Sequence, residues 1–347
     1  MSRTRGAALL VVVLLVSLLT VMVVEFLRES GLEGRAAANM RDLLQAHAYA
    51  RSGAAVASAL LLADLREDKD EGLESDHLGE GWAQPYPVPV GAAVVALEIE
   101  DLDGKFPLGA LVDAHGRVRP KLAEAYRRFL DALAEHLKTV GPEEAAALLE
   151  HADREALVDA LVDWMDEDET GDFEEAGEFE APNAALESVD DLYRVPGYGE
   201  VPEGLSRPVA DAVAPFVDVR SERRINLNTA SIPVLCAFSE QIDYSRARDW
   251  AGELDETPAE SSFNPNHYPS VREVTFVQSP FERVIRSRRF RVSISVSLGG
   301  VNHGAEAVVE RDLSKNTVTT AEWSEGWLRR RWALPTGRGG TSEETAP

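Results

Sequence analysis

Hydrophobic and polar positions divide the chain into unlike stretches. Residues 7–24 form an apolar run broken only by Ser17 and Thr20. From residue 36 to 65 the apolar positions Leu43, Leu44, His47, Ala50, Ala54, Ala57, Leu61 and Leu65 recur at helical spacing. No proline falls between residues 1 and 64, which predicts one long helix, continuous or kinked at Gly31, Gly34 or Gly53. An acidic, glycine-bearing stretch at 67–81 reads as a loop. Residues 88–102 then alternate and are rich in Val and Ile, which predicts strands followed by a turn at Asp103 and Gly104.

From Pro120 the period changes from two to 3.6. A helix over 120–137 places Leu122, Tyr126, Phe129, Leu130 and Leu133 on one face. Gly141 and Pro142 break it. Shorter helices follow at 143–149 and at 154–164, the latter with Leu157, Val158, Leu161 and Val162 inward. Further short helices are expected from Ser188 to Val195, over 209–217, and after a cap at Asn228 or Thr229. Alternation returns at 290–298, turns at Gly299 and Gly300, and continues through 306–312 and 317–323 as an antiparallel meander. The tail after Trp332 is expected to be disordered. Strands enclosing a helical block predict an inserted helical domain rather than βαβ units.

The apolar run at 7–24 reaches about 27 Å as a helix, enough to cross a bilayer core. Arg3 and Arg5 precede it and an acidic chain follows, so the rule of positive charge inside puts the bulk of the chain outside the cytoplasm. A cleaved secretory signal fits poorly, because Glu25, Arg28, Glu29, Glu33 and Arg35 separate the run from the nearest small-residue site at Ala36 and Ala38. A plain single-pass anchor fits. So does a third reading: Arg-x-Arg-Gly directly before the run resembles the leader of type IV pilins and pseudopilins, cut after Gly6 to leave Ala7 first.

Composition narrows the function. Of 347 residues, 60 are Asp or Glu and 35 Lys or Arg, a formal net charge of −25. That argues against a nucleic-acid partner, which needs clustered cations. The segment 224–238 resembles a helix-hairpin-helix, but the phosphate-binding glycine turn is replaced by Ser239, Glu240 and Gln241. The single cysteine, Cys236, stands in an apolar segment and reads as a small core residue. No nucleophile elbow, phosphate loop or close-spaced histidine set is present, so the chain does not read as an enzyme.

One stretch carries candidate chemistry. Residues 161–180, LVDWMDEDETGDFEEAGEFE, offer Asp163, Asp166, Asp168, Asp172, Glu175 and Glu178 as hard oxygen ligands, with Gly171 and Gly177 to bend the backbone. Calcium takes six to eight such oxygens. The start resembles an EF-hand loop, but Gly177 stands where the bidentate glutamate belongs, so it is not one. A calcium loop and a solvated acidic loop both fit.

Taken together, the chain resembles the K-class minor pseudopilins of type II secretion systems. The resemblance rests on the Arg5-Gly6 leader, IEDLDGK at 99–105, LVDWMDED at 161–168, SVDDLYRVPG at 188–197, INLNTA at 225–230, and FRV at 290–292 with the final strands. Val11, at the fifth position after the expected cut, suits this class, which lacks the usual glutamate there. The resemblance implies an α+β pseudopilin fold: a long N-terminal transmembrane helix on an antiparallel sheet, with a large inserted α-helical domain. The expected divisions are a leader at 1–6, the helix at 7–66, a first β region at 67–118, the inserted domain at 119–285, closing strands at 286–325 and a tail at 326–347. It also implies an inner-membrane, periplasm-facing subunit at the pseudopilus tip, which helps initiate assembly with I- and J-class minor pseudopilins. Processing and N-methylation at Ala7 by prepilin peptidase, contact with other pseudopilins and secreted proteins, and calcium in the acidic loop go with it. A single-pass periplasmic binding or scaffold protein is the alternative.

Overall fold

The computed structural model describes residues 3–71, 75–168, 170–171, 181–255 and 278–326, with the side chains of 3–11, 68–71, 86 and 252–255 outside the description. Helix α1 (Arg3–Glu71) is 69 residues long and unbroken, about 100 Å at 1.5 Å per residue. Neither Gly31 nor Gly34 interrupts it, because nothing competes with the local ladder: both face open space. The helix continues five residues into the stretch read as a loop from Glu67. Among the described residues no helix is long and apolar enough to cross a membrane. Residues 7–11 of the apolar run fall outside the side chains described.

Five antiparallel strands follow around it: β1 (Tyr86–Val90), β2 (Ala93–Asp101), β7 (Arg289–Leu298), β8 (Val301–Asp312) and β9 (Thr317–Glu325), in sheet order β1-β2-β7-β8-β9. Between β2 and β7 lie α2 (Pro120–Val140), α3 (Glu143–His151), α4 (Arg154–Met165), α5 (Val209–Val213), α6 (Ile232–Phe238) and α7 (Tyr244–Asp255). Two short parallel pairs bind this insertion together: β3 (Phe106–Pro107) with β4 (Val217–Asp218), and β5 (Arg224–Asn226) with β6 (Glu282–Val284). The mixed helical and antiparallel architecture is the one expected. Residues 106–112 pack with the helices: Phe106, Leu108, Leu111 and Val112 belong to the helical core.

Strict alternation explains the sheet. Val95, Leu97 and Ile99 of β2, with Val292, Ile294 and Val296 of β7, face α1 and are buried. The helix answers with small side chains: Ala46, Ala50, Ala54 and Ala57, then Leu61. Leu43 and Leu44, placed on the inward face by spacing alone, are instead 43% and 61% exposed. Ala46 occupies the true stripe, because a close approach to the sheet leaves room only for methyl groups. Gly53 marks the tightest point, where an added Cβ would lie 2.9 Å from Leu97 Cδ2 and 3.1 Å from Ile294 Cγ2. Gly53→Leu is therefore expected to cost about 1–3 kcal/mol by overpacking. A thermal-unfolding comparison with Gly31→Ala, where the space is open, checks this; equal melting temperatures would refute it.

The β7–β8 turn uses Gly299 and Gly300, both with φ near +58° to +86°, the left-handed pair that a two-residue hairpin demands. In the insertion, α2 buries the face foreseen, and Cys236 is buried in α6. Val162 is only half-buried. The cap of α6 is Ser231, two or three residues beyond the expected Asn228 or Thr229, because those two are used in a buried polar network. The helix expected over 209–217 is one turn of α-helix, then a 3-10 turn at Ala214–Phe216 and strand β4.

Candidate functional site

The acidic loop begins where α4 ends. Asp153 caps α4 by accepting from Glu155 N and Ala156 N at 3.1 and 3.2 Å. Its last turn carries Asp163, and Asp166 follows one turn later; both are buried, at 6% and 5% exposure. Asp168 is exposed. Its Oδ1 accepts from Thr170 N and Thr170 Oγ1, and these bonds hold its carboxyl below the usual carboxylate range. The loop is closed at its base. Glu167 N donates to Gly116 O at 3.0 Å, Asn183 Nδ2 to Asp168 O at 3.0 Å, and Ala184 N to Trp164 O at 3.2 Å.

At Gly171 the chain passes directly over Asp163. A Cβ there would lie 2.3–2.4 Å from the Asp163 carboxyl group, so only glycine permits the approach. The structure thus buries Asp163 and Asp166 at the loop base and leaves Asp168 exposed, bonded within its own turn. Asp172, Glu175 and Glu178 lie outside the described residues. Gly6 and Ala7 lie on the first turns of α1.

A second arrangement was not read from the sequence. Asp101 Oδ2 accepts from Asn226 Nδ2 at 3.1 Å and from the hydroxyls of Thr229 and Ser287, while its Oδ1 accepts from Asp103 N at 2.8 Å. Asn226 Nδ2 also donates to Asp76 O and Ser287 Oγ. Asp76 receives Ser287 N and pairs with Arg311, which also pairs with Asp64 of α1 at 2.9 Å. Side-chain exposure of Arg311 and Asp76 is 0%. Asp103 Oδ2 takes Arg288 N at 2.7 Å. This joint ties α1, β2, β8 and the insertion into one buried polar cluster. IEDLDGK and INLNTA, 120 residues apart in the chain, meet here.

Burial pushes the Asp101 carboxyl up to about 7, with the charges of Asp103 and Asp76 adding to it against the hydroxyl bonds. Burial likewise raises Asp64 to about 6 even though Arg311 pulls the other way. Among the described residues, Asp64, Asp76 and Glu80 are the three acids close enough to share a metal ion. Arg311 already stands between two of them, so an internal cation serves that place. A signal was present: Asp101 falls in register with the inward positions 93, 95, 97 and 99, and Arg311 with 305, 307 and 309.

The third feature is the uncovered flank of α1. Val12 to Val24, Phe26 and Leu27 expose their apolar side chains, each 50–69%. Further along the helix Leu32, Met40, Leu43, Leu44 and Val56 remain 42–61% exposed. So much contiguous apolar surface marks a lipid or protein contact rather than a face left in water.

Comparison with known proteins agrees with this architecture. No family model matches the chain. It is 31% identical to a Pseudomonas aeruginosa protein named type II secretion system protein K, over 71% of each chain. It is 23% identical to the Klebsiella pneumoniae protein of the same name, over 94% of this chain and 98% of that one. Its fold matches a chain in the crystal structure of the GspK-GspI-GspJ complex from enterotoxigenic Escherichia coli, with a TM-score of 0.58 and 18% identity, covering 83% of this chain and 98% of that one.

Proposed function

The chain belongs to the type II secretion system protein K family, the K-class minor pseudopilins, and on that basis we propose that it stands at the tip of the periplasmic pseudopilus. There it helps initiate assembly for export of folded proteins. The observation that carries the reading is the uncovered apolar flank of α1 beside a fully packed sheet. Its first part, continuing the run from residue 7, suits a bilayer, and its later part suits neighbouring α1 helices in a fibre. The Escherichia coli complex pairs GspK with GspI and GspJ, which makes I- and J-class chains the expected partners here. Val11 offers no carboxylate to a neighbour's terminal ammonium above it, and the insertion between β2 and β7 adds bulk where another subunit would stack.

In this reading the helix over 7–24 holds the chain in the inner membrane, and prepilin peptidase cuts after Gly6 on its cytoplasmic side. Co-expression of the full chain with prepilin peptidase and the I- and J-class subunits tests it. A ternary complex whose K-class chain starts at Ala7 is expected. An intact Met1, a cut near Ala38, or no complex would overturn it.

The acidic loop is proposed to hold calcium. The residues present fit: two buried carboxylates, Asp163 and Asp166, sit at a closed loop base with the backbone of Gly171 pressed against one of them. A hard divalent cation would supply the charge that lets these acids and the remaining loop acids stay together. Saturating calcium at about 100 times its Kd is then expected to add about 2.7 kcal/mol of stability. Thermal unfolding of the full chain in detergent, with calcium and with chelator, reads this directly. Asp163→Asn should abolish the difference; identical melting with and without calcium would count against the site.

A further inference from the structure

A cleft of about 800 Å³ opens between the start of α2, the turn after α6 and residues 278–280. In a chain of net charge −25 it gathers four cations, Arg119, Lys121, Arg128 and Arg223, against two anions, Glu124 and Glu240. Two of the cations are fixed. Arg119 Nη1 donates to Ala110 O and Val112 O, both at 2.7 Å. Arg128 Nη2 donates to Ala237 O at 3.2 Å, and its Nη1 stands 3.6 Å from Glu240, whose side chain is 75% exposed. An ion pair so wet is worth little.

The other two cations, Lys121 and Arg223, are exposed and pair with no carboxylate among the described residues. The rest of the lining mixes polar groups, Ser239, Gln241, Gln278 and Ser279, with the apolar Val118, Pro120, Leu122 and Pro280. Arg128 is half-buried, and desolvation lowers its pKa from the ordinary arginine value. Its Nε is buried without a hydrogen-bond partner. A negative charge in the cleft would offset the cost of that partly dehydrated guanidinium. Surplus cations on an acidic protein draw anions to the place where they gather.

We propose that this cleft binds a carboxylate-bearing stretch of extended polypeptide from a partner protein. Its volume lies in the range of built ligand sites, roughly 300–1,000 Å³. The mixture of guanidinium, ammonium, amide and hydroxyl groups suits side-chain carboxylates together with peptide carbonyls. Apolar groups make up about as much of the wall as polar ones, which suits the aliphatic segments of a peptide's side chains beside its carboxylates. The inference stands apart from the placement at the fibre tip, since it needs only this chain.

Fluorescence anisotropy with a labelled poly-glutamate peptide and the full chain in a zwitterionic detergent tests it. Saturable binding is expected, falling as salt rises, and weakened by about tenfold or more in the double variant Lys121→Glu, Arg223→Glu. Both side chains are exposed and unpaired, so the fold is expected to survive, which circular dichroism checks. Lys315→Glu, at the β8–β9 turn, serves as a control of equal exposure and should leave binding unchanged. Four outcomes would overturn the proposal: no saturable binding; equal binding of a poly-glutamine peptide; equal weakening by Lys315→Glu; or displacement by inorganic phosphate at the same concentration as by peptide, which would make the cleft a small-anion site.

Discussion

Replacing Arg311 with methionine is expected to destabilise the protein by about 3–5 kcal/mol at neutral pH, the cost of leaving buried charges uncompensated. The guanidinium binds Asp76, itself wholly inaccessible, and Asp64 of α1, and it lies 4.7 Å from the centre of the Phe290 ring. Methionine restores much of the volume but none of the charge. The loss should shrink on acidification, because the stranded carboxylates can then take protons. Urea unfolding at pH 7.5 and pH 5 measures both effects. A loss below about 1 kcal/mol, typical of an exposed ion pair, would show that Arg311 does not hold α1 to the joint.

The second large effect is a pH dependence of unusual sign. Most paired carboxylates titrate lower in the folded state and make proteins more stable as pH rises. Here burial raises Asp101 from 3.8 to about 7 and Asp64 from 3.8 to about 6. The folded state therefore binds protons that the unfolded chain has already released. Their contribution is complete below about pH 4 and is lost as pH rises through 6 and 7. For Asp101 the difference corresponds to about 4 kcal/mol in order of magnitude. His77 opposes it: burial lowers its pKa, so its contribution is lost as pH falls through the ordinary histidine value near 6.5. From these groups stability is expected to be greatest near about pH 4–5 and to decline until about pH 7. Asp64→Asn should flatten the lower part of that decline. A profile that rises from pH 5 to pH 8 would contradict the assignment.

These two predictions concern residues that the chain half revealed. Alternation at 93–101 and 305–311 put a carboxylate and a guanidinium on inward positions, so their burial was legible. Their partners were not. Asp76 sits in a stretch read as a loop, Asn226 in a strand end, Thr229 at a helix cap, and Ser287 in no motif. Pairing across 100 to 250 residues is a property of closure, and local pattern carries no trace of it. The acidic loop shows the same division. Its acids could be counted, but only the fold separates Asp163 and Asp166, which it buries, from Asp168, which it spends on Thr170.

By itself the sequence determined the elements: period two for the strands, period 3.6 for α2 and α4, a long proline-free α1, and the glycine pair at the β7–β8 turn. These follow from steric and hydrophobic rules that act over a few residues. Tertiary structure decided which stripe of α1 is buried, since only the approach to Leu97 and Ile294 selects Ala46 over Leu43 and Leu44. It decided too that the insertion is locked to the sheet by a buried aspartate cluster. Packing and charge pairing are sums over distant neighbours, and those neighbours exist only once the chain has folded.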